Sequence, residues 1–312
     1  MVAANPRPFV RLPFDSLPDV PRLPHAYARA EQLEVVVRSA HFGDVRTHVR
    51  RLGAGPPLVL VHGLMTSSYS FRYVMAPLAE RFTTWAFDLP GAGRSDKPDV
   101  PYTPDAMADF IGDFLRATGL EGAAVVANSM GGYLAMRLAM RRPHAMSRLL
   151  NVHAPGLPTA RNHALSAVLA IPGTRRLLDA LVRREPERWV HRNVHYYDET
   201  LKSLEEAGEY GAPLATPEGR QAFWRCLHDT LRARDMGRFE RALRALDGRF
   251  PIPLCLLYVP RDPMVPPSVG ARLRALLPEA EWIELPEASH FAHVDAAERF
   301  LAVTAPFLAG SP

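Results

Sequence analysis

The sequence predicts an α/β protein: a mostly parallel sheet flanked by helices, with a helical segment inserted late in the chain. Three features point there. Short apolar runs alternate with amphipathic stretches from residue 45 to residue 154, only helical patterns occur from 155 to 247, and the alternation resumes from 254 to 308. Strand and helix in strict alternation imply parallel pairing through right-handed crossovers.

Each element has its own reason. Residues 1–32 carry six prolines by Pro24 and no periodicity, which predicts an extended arm lying on the domain. Leu33 to Ser39 and Val45 to Leu52 read as strands of a hairpin around Gly43. The unbroken run Leu58-Val59-Leu60-Val61 reads as a strand buried on both faces. A helix is expected over Phe71 to Glu80, then a strand over Thr83 to Phe87. Pro104 sits where a helix would start, and Met107, Ile111, Phe114 and Leu115 share one face of it. Ala123 to Ala127 is a buried strand, Gly132 to Arg142 a helix closed by Pro143, and Arg148 to Val152 a further strand. After the insert come the strand Leu254 to Val259, a helix from Ser268 to Leu277, the strand Trp282 to Leu285 and a last helix to Leu308. The expected organisation is a core over 33–154 and 248–312 and a helical cap over 155–247.

Composition narrows the function classes. The chain has 312 residues, 47% hydrophobic and 22% charged, which excludes a disordered or fibrous chain. No apolar run reaches the roughly 18–20 residues of a membrane-spanning helix. Prolines near the start stand where a secretory leader would carry its apolar stretch, so a cytoplasmic protein is expected. The formal net charge of +4 is scattered: Lys97 and Lys202 are the only lysines, and the arginines form no block that would mark a nucleic-acid binder. Cys226 and Cys255 make no disulfide framework and read as reduced thiols.

The chemistry-bearing segments all follow predicted strands. Val125-Val126-Ala127-Asn128-Ser129-Met130-Gly131-Gly132 places a serine and two glycines between a buried strand and an Ala/Leu-rich helix. A serine on so tight a turn is held out of the sheet, over the free N–H groups and positive dipole end of the helix. Val61-His62-Gly63-Leu64 follows another strand, with a glycine that lets backbone N–H groups approach a ligand. Asp262 lies in Pro260-Arg261-Asp262-Pro263-Met264-Val265-Pro266, and His290 in Ala288-Ser289-His290-Phe291. These are the C-terminal strand ends where open parallel sheets place their sites.

In this order the motifs resemble the α/β-hydrolase superfamily, over roughly residues 45–155 and 250–308. Within it the chain looks like the serine esterases and the capped meta-cleavage-product hydrolases. The resemblance implies an α/β-hydrolase fold, Ser129 as nucleophile, His290 as general base and then acid, and Asp262 as the carboxylate that orients it. It also implies an oxyanion hole of the Leu64 and Met130 backbone N–H groups, and no cofactor or metal. Ala127 stands where the elbow G-x-S-x-G has its first glycine. The stretch Asp88 to Ser95 matches a loop of the family that is mainly structural.

The activity so implied is hydrolysis of a carboxylic ester of small or medium acyl chain through an acyl-enzyme, the partner being a small-molecule ester. A serine at 129 separates the chain from haloalkane dehalogenases and epoxide hydrolases, which use aspartate there. Asn128-Ser129-Met130-Gly131-Gly132 looks like the elbow of C–C hydrolases acting on meta-ring-fission dienoates. Those enzymes, however, carry Trp after the catalytic histidine, where Phe291 stands, and an oxyanion loop richer in Gly and Pro than Leu64-Met65-Thr66-Ser67-Ser68. A third reading, a non-catalytic ligand-binding member, fits least because Ser129, Asp262 and His290 are all present.

Weaker signals have plainer readings. His191 and His195, spaced i, i+4 on an expected helix, read as a solvated face rather than a metal site. His290-x-x-His293 is likewise no metal site, and Gly91-x-Gly93 lacks the rest of a dinucleotide loop. Trp189, Tyr196, Phe223, Trp224 and Phe291 are candidate substrate contacts; the aromatics of the cap, Tyr197 among them, either face an acyl pocket or pack the cap.

Overall fold

The computed structural model describes residues 8–310. Eight strands form one sheet: β1 (Glu31–Ser39), β2 (Gly43–Leu52), β3 (Pro57–Val61), β4 (Thr83–Phe87), β5 (Ala123–Asn128), β6 (Met146–Val152), β7 (Leu254–Tyr258) and β8 (Glu281–Glu284). Their order is β1-β2-β4-β3-β5-β6-β7-β8. The first two strands pair antiparallel, as do β2 and β4, and every later pairing is parallel.

Period-two alternation divides the core between the two faces. Val59 and Val61 pack with Phe87, Val125 and Ala127 on the side of α2 (Pro104–Ala117), α3 (Met130–Arg141) and α10 (Pro267–Leu276). Leu58 and Leu60 pack with Val126, Leu150 and Leu257 on the side of α1 (Met75–Ala79), α11 (Ala292–Asp295) and α12 (Ala297–Ala309). Helix α2 starts where Thr103 accepts a hydrogen bond from the Ala106 N–H and Pro104 fills the first turn.

One expected helix is broken. Residues 71–80 do not form a continuous helix; a 3-10 turn at Ser68–Phe71 precedes α1. Pro77 lies in the first turn of α1, and its ring has no room for a helical carbonyl four residues earlier, so the helix cannot extend back.

Between β6 and β7 lie six helices: α4 (Ala160–Leu169), α5 (Thr174–Arg184), α6 (Pro186–Asn193), α7 (Leu204–Ala215), α8 (Pro217–Arg225) and α9 (Ala233–Arg244). Thr159, Ser203 and Thr216 cap α4, α7 and α8 with their hydroxyls. Polar side chains fasten this insert to the core. Arg72, fully buried beside the Tyr69 and Tyr73 rings, pairs with Glu206 of α7, which also accepts the Tyr196 hydroxyl at 2.7 Å.

Part of the expected arm, residues 1–7, lies outside the described residues. The rest runs along the insert. Phe9 N–H donates to Tyr197 O at 3.0 Å, and Leu204 and Glu205 N–H donate to Pro18 and Asp19 O, each at 2.9 Å. His191 Nε2 lies 2.8 Å from Leu12 O. Among the described residues no helix is long and apolar enough to cross a membrane.

Candidate active site

Ser129 sits between β5 and α3 with φ 54° and ψ −123°, left-handed backbone that a non-glycine residue adopts only under constraint. The constraint is visible. Its N–H donates to Val152 O at 2.8 Å, and its own carbonyl accepts the Tyr133 N–H at 3.0 Å as α3 begins. Gly131 and Gly132 let the turn pack: a Cβ on Gly131 would lie 2.4 Å from His62 O, and one on Gly132 2.3 Å from Asn151 Oδ1. Ala127, which replaces the family glycine, is buried at the end of β5 and is not among the positive-φ residues. The strain stays at Ser129.

The Met130 N–H, at the first position of α3, needs no intrahelical acceptor. Facing it is the Gly63-Leu64-Met65 loop, where a Cβ on Gly63 would lie 2.9 Å from Ser129 Cβ and Met65 has φ 62°. Buried His62 braces this loop. Its Nε2 accepts the Leu89 N–H at 2.9 Å, so its Nδ1 carries the proton and donates to Gly63 O at 2.8 Å. Asp88 ties the neighbouring loops by accepting Ser68 N–H at 2.7 Å and Arg94 N–H at 2.8 Å.

Asp262 and His290 follow β7 and β8. Asp262 Oδ1 accepts the N–H groups of Met264 and Val265 at 2.7 and 2.9 Å, while Oδ2 lies 2.6 Å from His290 Nδ1. Burial alone would raise this carboxyl, but His290 and His153 outweigh it and hold the pKa far below the ordinary carboxylate range. Ser129 and His290 both open onto one cavity of about 380 Å³. No hydrogen bond joins them among the described residues, and such bonds commonly tighten only when substrate is in place.

Two residues without an assigned role in the sequence reading join the site. His153, fully buried one position past β6 with φ 57°, has Nδ1 3.0 Å from Asp262 Oδ2, off line for a hydrogen bond. Desolvation lowers its pKa, so the ring is neutral. The strand-end rule that picks out Asp262 and His290 would have found it. Asn128 donates from Nδ2 to His290 O at 3.0 Å and to Val152 O at 3.3 Å, stitching the serine turn to the histidine loop. His153, Asp262 and His290 form the one group with metal-like spacing among the described residues, their ligand atoms within 4.8 Å of one another. Hydrogen bonding already accounts for the 2.6 Å His290 contact and for both bonds to Oδ1.

The insert supplies the other wall of the cavity. Thr159, Arg161, Asn162 and Leu165 come from α4 and its cap, Trp189 and Asn193 from α6, His195 from the loop after it, and Phe223 from α8. Of the candidate substrate contacts, Trp189 and Phe223 line the cavity. Three others lie elsewhere. Tyr196 is fully buried with its hydroxyl on Glu206, because the buried Arg72 pair draws it to the stem of the insert. Phe291 is buried edge-on to His290 and Tyr196, its ring centroids 5.1 and 5.6 Å away. Trp224 stacks on His228 at 5.3 Å and lines an outer groove. Arg161 and Asn162 carry no sequence motif that marks them, and His195, expected with His191 on a solvated face, stands in the cavity wall instead.

The remaining histidine pair separates for a geometric reason. Helix α6 ends at Asn193, so i, i+4 spacing no longer puts His191 and His195 on one face. His191 turns to the arm, and His195 Nδ1 lies 3.6 Å from Glu199. Among the described residues, buried His293 has no hydrogen-bond partner for either nitrogen. Cys226 and Cys255 are free and buried, both thiols pushed up to about 12 by desolvation and therefore protonated.

The family described as alpha/beta hydrolase fold matches residues 56–297, and the chain belongs to it. The pimeloyl-[acyl-carrier protein] methyl ester esterase of Chromobacterium violaceum is 31% identical over 267 residues, 83% of this chain and 97% of that one. The 2-hydroxymuconate semialdehyde hydrolase of Pseudomonas sp. (strain CF600) is 27% identical over 276 residues, 85% of this chain and 91% of that one. Uncharacterized proteins of Mycobacterium tuberculosis and Mycobacterium bovis are 39% identical over 112 residues; the match spans 36% of this chain and only 33% of theirs. In fold, a thermophilic esterase of Thermogutta terrifontis superposes with a TM-score of 0.70 over 90% of this chain and 98% of its own, at 21% identity.

Proposed function

We propose that the chain is a serine hydrolase cleaving carboxylic esters of small or medium acyl chain through an acyl-enzyme, with Ser129, His290 and Asp262 as its triad. The observation that carries this reading is the strained Ser129, raised at the head of α3 into the cavity onto which His290, paired with Asp262, also opens. His290 Nε2 takes the Ser129 proton as Oγ attacks the acyl carbon. The carbonyl oxygen, now an anion, is met by the Leu64 and Met130 N–H groups, each worth about 3 kcal/mol of barrier. His290 then gives the proton to the departing alcohol, activates a water against the acyl-enzyme, and returns the proton to Ser129. Trp189 and Phe223 supply the apolar wall for the acyl chain. Two buried, protonated thiols fit the reducing cytoplasm.

Hydrolysis of p-nitrophenyl esters from acetate to a long acyl chain, with Ser129→Ala as control, tests the proposal. Turnover by the native chain that vanishes in the variant is expected; turnover that survives removes Ser129 as nucleophile. A second reading, cleavage of a C–C bond in a meta-ring-fission dienoate, draws support from the 27% identical semialdehyde hydrolase and from Arg161, Asn162 and His195 in the cavity wall. A dienoate assayed alongside the esters decides between them. Labelling of Ser129 by a fluorophosphonate excludes a member that only binds its ligand.

A further inference from the structure

Helices α4 and α5 form a hairpin closed by Thr174 Oγ1, which donates to Val168 O at 3.0 Å. Of the nine large apolar side chains exposed among the described residues, Val168, Ile171, Leu177 and Leu181 cluster on it, between 51% and 62% exposed. Helix α5 is apolar on two sides. Leu178 and Val182 pack inward, while Leu177 and Leu181, one residue earlier and four apart, point out to solvent. A stripe of this kind costs solubility unless something covers it.

Charge indicates what covers it. Residues 160–184 hold five arginines against one aspartate, a surplus equal to the formal net charge of +4 of the whole chain. That aspartate, Asp179, is taken by Arg220 at 2.7 Å. Arg176, Arg183 and Arg184 take part in no ion pair among the described residues. A second copy docking through this same face would bring the same positive charge to the patch and be repelled. An acidic protein would meet a stripe without the aromatic anchors that carry such interfaces. Aliphatic side chains flanked by unpaired arginines match a bilayer, whose acyl boundary takes the leucines and whose phosphates take the guanidinium groups.

We propose that the outer face of the α4–α5 hairpin is a docking surface for an anionic lipid membrane. Helix α4 connects this surface to the site, because Arg161, Asn162 and Leu165, on the turns before Val168, line the cavity of Ser129. Docking would therefore hold the cavity wall against the bilayer, where amphiphilic molecules concentrate.

Co-sedimentation of the full chain with vesicles tests this independently of any catalytic reading. Vesicles of phosphatidylcholine with phosphatidylglycerol are expected to retain the protein, phosphatidylcholine alone to retain little, and raising salt from about 50 mM to about 500 mM to release it. Leu177→Ser with Leu181→Ser, and separately Arg176→Glu with Arg183→Glu, should each weaken retention at least about tenfold while thermal melting stays native-like. Equal retention on both vesicle types overturns the proposal, as does retention unchanged in either folded double variant. No retention, with a dimer that disappears in the leucine double variant, would overturn it in favour of a self-association face.

Discussion

The two walls of the cavity are held by different kinds of bond. On the sheet side, backbone groups at strand ends fix the functional atoms: Val152 O holds the Ser129 N–H, and Met264 and Val265 N–H hold Asp262. On the insert side the fixing is done by buried side chains: Arg72 of the core with Glu206, 134 positions away, and, within the insert itself, Lys202 with Glu199. Backbone anchoring places an atom wherever the strand ends and depends little on which residues surround it. Side-chain anchoring places a whole helix, and one substitution can release it. The first suits chemistry that needs fixed distances, the second a wall that varies with the substrate.

Substitutions on either side should therefore differ in kind. The largest effect belongs to the sheet side: Ser129→Ala should lower kcat by about 10⁴-fold or more with the melting temperature unchanged or raised, since the strained residue loses its role and keeps its fold. Kinetics and calorimetry on the same preparation read both quantities.

Next comes the anchor of the insert. Arg72→Met leaves the Glu206 carboxylate buried and unpaired, at a cost of about 3–5 kcal/mol in chemical denaturation. A loss below about 1 kcal/mol would mean that the insert does not hang from this pair.

Acid should act through the buried histidines. His293, packed near Phe71 and Phe300, is pushed down to about 3 by burial, with nearby charges adding to the effect. An unfolded histidine titrates near 6.5, so below that pH the unfolded chain binds the proton first; stability is full above about 6.5 and falls toward pH 3, at about 1.4 kcal/mol per unit. His62 and His153, also lowered by desolvation, push the same way. Asp295 opposes them: burial raises its carboxyl to about 6, so its contribution declines as pH rises through that range. His293→Phe should remove about 2–3 kcal/mol of the acid loss between pH 6.5 and 4.5. An unchanged stability profile would place that sensitivity elsewhere.

The smallest effect is on specificity. Phe223 lines the cavity, the outer groove and a small space behind the Gly63-Leu64-Met65 loop, so it is the partition between them. Phe223→Ala should shift kcat/KM toward longer acyl chains by about tenfold and leave fluorophosphonate labelling of Ser129 within about threefold. A uniform loss across chain lengths would instead make Phe223 a packing residue of α8.

Legibility in the sequence follows the same division. The β5 and β6 runs and the glycines after Ser129 mark their elements within a few residues, because burial on both faces and a tight turn each demand particular residue types locally. Over 71–80 the amphipathic spacing predicts one helix where two short ones form, because spacing says nothing of what the Pro77 ring excludes. Tyr196 and Phe223 look alike as aromatics of a helical segment, yet one is pinned to Glu206 and the other faces the cavity.

By itself, then, the sequence determined the order of strands and helices and the residues at the strand ends, since both are written in periodicity and in the backbone freedom of single positions. The tertiary structure alone decided that His153 shares the carboxylate of Asp262, that Arg72 meets Glu206 across 134 positions, and which side chains of the insert see the cavity. Those depend on how helices pack, and packing is settled by contacts between residues far apart in the chain, which no local pattern records.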